Sequence, residues 1–336
     1  MIQRAFLAAA LIAAVLAVPA TADTYPRPFG TFTALAGTDT TDCVKIPGHT
    51  CKVYKVTGCP GLIGGRKLFI GTRRPPTGVA TRGVVVTFSG GSGKRYWGAE
   101  GPYSKAWIDN VVNAGMISAQ VRWNGKWFQS NSGELAGPGA VTCRPATVVD
   151  WLYTDLYQPL VAAGLNPADG RCGFCVVGSS MGSTVPVYLI EHFGMDSWID
   201  GVFPTGGPIH AELARGCRGE QGFNYGAEAE EWVDPTYGYV GGGGPCETHN
   251  LTDAWSARWT EDGLDTAGDH FHPTTRVVIF VGELDPKLHK QAQFWEATLE
   301  AAGTPEVTLD IVPGMKHSIK GSQQGMNELQ DAVLLT

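Results

Sequence analysis

Positive charge is scarce in this chain. Lys and Arg number 25 against 32 Asp and Glu, a net charge of −7, and charged residues make up only 17%. Nucleic acid calls for a basic face, so this balance argues against it as a partner. No block of like charge, internal repeat or low-complexity tail is present. Beyond the N-terminal segment no apolar run approaches the ~20 residues of a spanning helix, so no stable membrane insertion is expected. Metal motifs are missing as well. The cysteines do not fall into paired zinc-ligand spacing. Asp262, Asp265 and Asp269 lack the EF-hand pattern and read as a solvated face. His270-Phe271-His272 with Asp269 has no second ligand set beside it. The glycine-rich Gly90-Gly91-Ser92-Gly93-Lys94 is followed by Arg95, where a phosphate-binding P-loop needs Ser or Thr. Neither a metal nor a cofactor is expected.

What is present begins with an address. Met1-Ile2-Gln3-Arg4 carries a positive charge, residues 5–18 are apolar, and Ala20-Thr21-Ala22 supplies small residues. This is the layout of a secretory signal peptide, cleaved near Ala22, and it predicts a secreted or periplasmic protein. All 8 cysteines lie downstream of it. An even count in an exported chain implies disulfides. Cys43, Cys51 and Cys59 are expected to staple the N-terminal strands, and Cys217 to pair with Cys246. The Cys172-Gly173-Phe174-Cys175 run leads into a strand instead of opening a helix, so it reads as a structural bridge and not as a redox centre.

Patterning then gives the fold class. Residues 30–60 alternate apolar and polar side chains between turn signals, which predicts strands or hairpins. Residues 67–70 form a further strand, and 83–88, the most β-branched run, a central one. From there strands (116–123, 174–177, 198–204, 276–281, 307–312) alternate with helices (107–114, 145–163, 183–193, 289–302 and from about 323). Continuous apolar strands alternating with helices predict an α/β fold, a mostly parallel sheet with helices on both faces. One stretch breaks the order. Residues 208–273 hold two cysteines and the aromatics Phe223, Tyr225, Trp232, Tyr237, Tyr239, Trp255 and Trp259. Disordered segments are poor in aromatics, so this is expected to be a folded cap or lid inserted into a single domain spanning 23–336.

The chemistry is carried by Gly178-Ser179-Ser180-Met181-Gly182, which lies between a strand-like and a helix-like run. G-x-S-x-G in that context is the pattern of a nucleophile elbow, with Ser180 as the nucleophile. A serine hydroxyl needs a base in hydrogen-bond reach, and the base needs an orienting acid. Asp285 falls just past the strand at 276–281, in Gly282-Glu283-Leu284-Asp285-Pro286. Glu283 competes for that role, and Asp285 is favoured because it lies further into the loop. His317 follows the last strand, in Pro313-Gly314-Met315-Lys316-His317, and no other histidine does so. These three segments resemble the α/β-hydrolase superfamily over roughly residues 65–336. The resemblance implies a serine acyl-hydrolase with Ser180, Asp285 and His317 as its triad. It also implies an oxyanion hole made by the N–H of Met181 and one from the loop after the central strand, Gly91 first and Ser92 next. That loop has Ser89 where the HGGG-type segment of many lipases and esterases has histidine.

The function expected is therefore a secreted hydrolase of small-molecule or polymeric carboxylic esters, acting through an acyl-enzyme. A serine peptidase, an acyltransferase and a non-catalytic hydrolase-like binding protein are the alternatives. Trp123, Trp127, Trp232 and Trp255 are candidate substrate contacts, with packing of the cap against the body as the competing role.

Overall fold

The computed structural model describes residues 25–165, 172–208, 210–223 and 225–335. The expected signal peptide lies outside the described residues. Three strands, β1 (Thr31–Thr38), β2 (Thr50–Thr57) and β3 (Arg66–Arg73), form an antiparallel extension at one side. The strands β4 (Gly83–Phe88), β5 (Met116–Trp123), β6 (Phe174–Ser179), β7 (Gly201–Thr205), β8 (Arg276–Gly282) and β9 (Val307–Val312) run parallel. All nine join one sheet in the order β1-β2-β3-β5-β4-β6-β7-β8-β9. The α/β class expected from the sequence is the one observed. Every residue of β4 and β6 is buried, as a strand covered on both faces requires.

Helices supply that cover. They are α1 (Pro102–Asn113), α2 (Gly137–Val141), α3 (Cys143–Leu152), α4 (Gln158–Ala162), α5 (Thr184–Phe193), α6 (Leu213–Cys217), α7 (Asp253–Asp262), α8 (Pro286–Ala302) and α9 (Gln323–Leu334). The helix expected from residue 107 begins more than a turn earlier: α1 starts at Pro102, whose fixed φ suits a first helical turn. The single helix expected over 145–163 is broken by a π-helical turn at Tyr153–Tyr157, where Tyr153 packs on Trp198 with ring centroids 4.2 Å apart. Strand β7 starts at Gly201 and not at 198, because Met195–Ser197 forms a 3-10 turn.

The stretch between β7 and β8 is folded, with α6, a π-helical turn at Ala229–Val233, a 3-10 turn at Asp234–Tyr237 and α7. It lies against α5, all ten residues of which are buried. A helix buried along its whole length, Glu191 and His192 included, must be covered on every side. Here the sheet takes one side and this insert the other, through the Tyr188 hydroxyl donating to the Asp262 carbonyl and Asp269 N–H donating to the Glu191 carbonyl at 2.8 Å. Asp262 is not on a solvated face, as the spacing suggested. It is buried, takes a hydrogen bond from the Tyr237 hydroxyl at 2.9 Å and pairs with Arg27 at 3.5 Å.

Four disulfides tie these parts. Cys217–Cys246 and Cys172–Cys175 pair as expected. Cys43–Cys51 closes the N-terminal strands, but Cys59 does not join them; it bridges 84 residues to Cys143 in α3. The reason is position: Cys59 follows the end of β2, where the chain turns toward α3, and Thr147 in α3 also accepts from Gly30 N–H at 2.8 Å. No helix among the described residues is long and apolar enough to cross a membrane.

Candidate active site

The parallel strands all point their C-terminal ends to one rim, where open α/β sheets place their ligand sites. Ser180 stands there directly after β6, at φ +53°. A left-handed conformation costs a residue other than glycine roughly 1–2 kcal/mol, and the surroundings impose it. A Cβ at Gly178 would lie 2.1 Å from the Gly182 carbonyl oxygen, and a Cβ at Gly182 would lie 2.4 Å from that of Ser89. No side chain fits at either glycine. The Ser183 hydroxyl closes the turn by donating to the Ser180 carbonyl at 2.5 Å.

His317 reaches the serine from the loop after β9. Its Nε2 lies 2.7 Å from Ser180 Oγ, and its Nδ1 lies 2.8 Å from Asp285 Oδ2. Both bonds form together when Nδ1 carries the proton and donates to Asp285, leaving Nε2 to accept from the serine hydroxyl. Asp285 sits one residue before α8 but makes no side-chain cap on it, so its carboxylate is free to face the imidazole. Glu283, the rival acid, is occupied elsewhere: its Oε2 accepts from Gly314 N–H at 2.7 Å, which pins the loop that carries His317. His289 Nε2 bonds the Gly282 carbonyl at 2.7 Å and takes no part. His317 keeps 47% of its side-chain surface and Asp285 16%, so the constellation opens to solvent on the histidine side.

Two glycines to which the motif reading gave no role complete the support. A Cβ at Gly282 would stand 1.9 Å from the Lys316 carbonyl oxygen, and one at Gly206 would stand 2.3 Å from that of His317. The histidine loop therefore rests on two bare strand ends. The available signal was a glycine at or just past the C-terminus of both β7 and β8.

The loop after β4 meets the elbow. A Cβ at Gly90 would come within 3.1 Å of Ser180 Cβ, and Gly93 N–H closes a turn onto the Gly90 carbonyl at 3.1 Å. Gly91 and Ser92 are the central residues of that turn, with Gly91 at φ +56°. Met181 follows the serine in the 3-10 turn Ser180–Ser183, its side chain buried in the core. The turn that carries Gly91 and Ser92 thus starts at a residue packed on Ser180, and Met181 adjoins the serine in sequence.

The four tryptophans divide. Trp123 and Trp127 are each 1% exposed and lie under Gly93, whose added Cβ would be 2.9 and 2.8 Å from their rings. They hold up the turn and offer a substrate no surface, contrary to the expectation. Trp255 packs within the insert against Tyr237, Tyr239 and Trp259. Trp232 alone of the four borders the site, 3.6 Å from the position of a Gly91 Cβ and edge-on to Phe128. Among the described residues no group of three or more His, Cys, Asp or Glu is arranged to hold a metal ion. His270 and His272 instead face the buried Glu191.

No protein-family model matches the sequence, and no curated protein sequence does. Solved structures do match in three dimensions. A thermostable esterase from Pseudomonas putida aligns with a TM-score of 0.50 at 14% identity, over 86% of this chain and 83% of its own. Brefeldin A esterase, a bacterial homologue of human hormone-sensitive lipase, gives 0.51 at 15%, over 89% and 78%. A thermophilic esterase from Thermogutta terrifontis gives 0.50 at 15%, over 85% and 91%. The fold is the α/β-hydrolase fold that these esterases share.

Proposed function

We propose that this protein is an exported serine hydrolase of carboxylic esters. The observation that carries the reading is the unbroken hydrogen-bond relay from Asp285 through His317 to Ser180 on the C-terminal rim of the sheet. Ser180 Oγ attacks the ester carbonyl carbon while its proton passes to His317 Nε2. Asp285 holds the imidazole in the productive tautomer and stabilises the imidazolium. The oxyanion of the tetrahedral intermediate is received by the N–H of Met181 and by that of Gly91 or Ser92, donors of a kind worth ~10²–10³ in rate each. Collapse expels the alcohol, which takes the proton back from His317. Water, deprotonated by the same imidazole, then releases the acid and regenerates the serine.

The esterases that share the fold support ester chemistry in general terms. Trp232 beside Gly91 gives the site one aromatic wall for the substrate. The insert at 208–273 acts as its cap. Four disulfides and the N-terminal signal pattern fit a protein working outside the reducing cytosol. The test is turnover of p-nitrophenyl esters from acetate to long acyl chains, with aminoacyl anilides alongside. The native protein is expected to cleave the esters, and Ser180→Ala to lose ~10⁶ in kcat. Native-level turnover by Ser180→Ala would overturn the assignment, and faster cleavage of the anilides would make the protein a peptidase.

A further inference from the structure

Beside the Gly90–Gly93 turn lies a cavity of about 240 Å³ lined by Asp42, Lys45, Arg95, Tyr96 and Ala99. It is linked to the elbow through Ser89. The Ser89 hydroxyl donates to the Arg95 carbonyl at 2.6 Å, and the Ser89 backbone is the one that would meet a Cβ on Gly182. Arg95 is thus held one hydrogen bond from a residue packed on the elbow, at the same end of the sheet.

The charges around this cavity are unbalanced. Arg95 is exposed and has no ion pair among the described residues. The one carboxylate in the lining, Asp42, is already engaged by two cations: Lys45 at 2.6 Å and Arg122, also in contact. Nearby Lys320, three residues after His317, is matched by Glu100. Tyr96 is buried and donates its hydroxyl to Asp39 at 2.9 Å, so it is not free to answer Arg95 either. Lys94, next in sequence, is exposed too. An unanswered guanidinium in a concave site is therefore present in a chain whose net charge is −7. Guanidinium is the side chain suited to gripping a carboxylate through two parallel bonds.

We propose that this cavity is an anion subsite and that the preferred substrates are esters carrying a carboxylate, which Arg95 binds. The proposal rests on the ester-hydrolase reading for its chemistry. The carboxylate can belong to the acyl side or to the alcohol side, and matched substrate pairs separate the two. On the acyl side, mono-p-nitrophenyl adipate is compared with its methyl-capped, neutral counterpart. On the alcohol side, 4-carboxyphenyl acetate is compared with methyl 4-acetoxybenzoate.

The quantity read is the ratio of kcat/KM for the charged ester to that for its neutral partner. In the pair that matches the true substrate, Arg95→Met should lower this ratio about tenfold. Arg95→Glu should lower it further, Arg95→Lys should recover only part of it because an ammonium lacks the two-bond fork, and the effect should shrink as salt rises. A ratio unchanged in both Arg95→Met and Arg95→Glu, on both pairs, overturns the subsite. If no ester at all is turned over, the catalytic reading fails while the subsite is still decided, by calorimetric binding of adipate to Ser180→Ala. Affinity that falls about tenfold on adding Arg95→Met supports the subsite, and equal affinity overturns it.

Discussion

At the rim of the sheet, backbone is pressed against backbone. Gly178, Gly182, Gly206 and Gly282 each leave room only because they lack a Cβ, with carbonyl oxygens 1.9–2.4 Å from where one would be. The insert between β7 and β8 is assembled by side chains instead. Cys217–Cys246 closes one part of it. Asp234 takes the N–H groups of Cys246 and Glu247, each at 2.9 Å, and the Ser130 hydroxyl donates to the Thr236 carbonyl at 2.8 Å. At its exit, buried His272 lies between Asp196 at 3.6 Å and Glu191 at 3.8 Å, while Trp295 Nε1 donates to Glu191 at 2.7 Å. The first region positions a reacting atom through rigid turns. The second is fixed by separate contacts, several of them to α5, and each can be removed without touching the rim.

That contrast can be tested by breaking each side in turn. The largest effect is expected at the rim. Gly182→Val places a branched side chain against the Ser89 backbone, which cannot yield, and should destabilise by ~4 kcal/mol or more, measured by denaturant unfolding with loss of ester turnover. A folded, active variant would show the turn to be far softer than its geometry. Next comes the double change Cys217→Ser and Cys246→Ser, which frees a 29-residue span and should cost about 2–4 kcal/mol. Hydrogen exchange should show the loss concentrated in residues 210–262, with β4 and β6 still protected. Equal loss in the strands would mean that insert and sheet unfold as one unit.

The smallest expected effect depends on pH. Burial alone would lower the pKa of His272, but Asp196 and Glu191 outweigh it and raise the imidazole to about 9. Its folded value thus lies above the ordinary one, so its protonation stabilises the fold fully below pH ~6.5, and that stability is lost as pH rises through about 9. His272→Gln should therefore be less stable than the native protein by roughly 2 kcal/mol near pH 6. The gap should close toward pH 10. A gap independent of pH would assign His272 a packing role only.

The same contrast explains what could be read from the chain. The strand runs at 83–88, 276–281 and 307–312 announce themselves by β-branched continuity, and G-x-S-x-G by the spacing that a tight turn demands. The expected parallel sheet and the position of Ser180, Asp285 and His317 near strand ends follow from such local rules, and the structure brings these three side chains together. Long-range partners obey no local rule. Nothing near Cys59 points to Cys143, and nothing in the spacing of Asp262 points to Tyr237 and Arg27. Trp123 and Trp127 misled for the same reason: a tryptophan at or past a strand end reads alike whether it faces a substrate or lies beneath Gly93.

The measurement that bears most directly on the proposed chemistry is mass spectrometry of the folded, native protein after exposure to a fluorophosphonate. One adduct per chain is expected, mapped to the peptide bearing Ser180, with labelling greatly slowed in His317→Ala because the hydroxyl then has no proton acceptor. Folded protein that stays unlabelled, or that carries the adduct on another residue, would contradict the account.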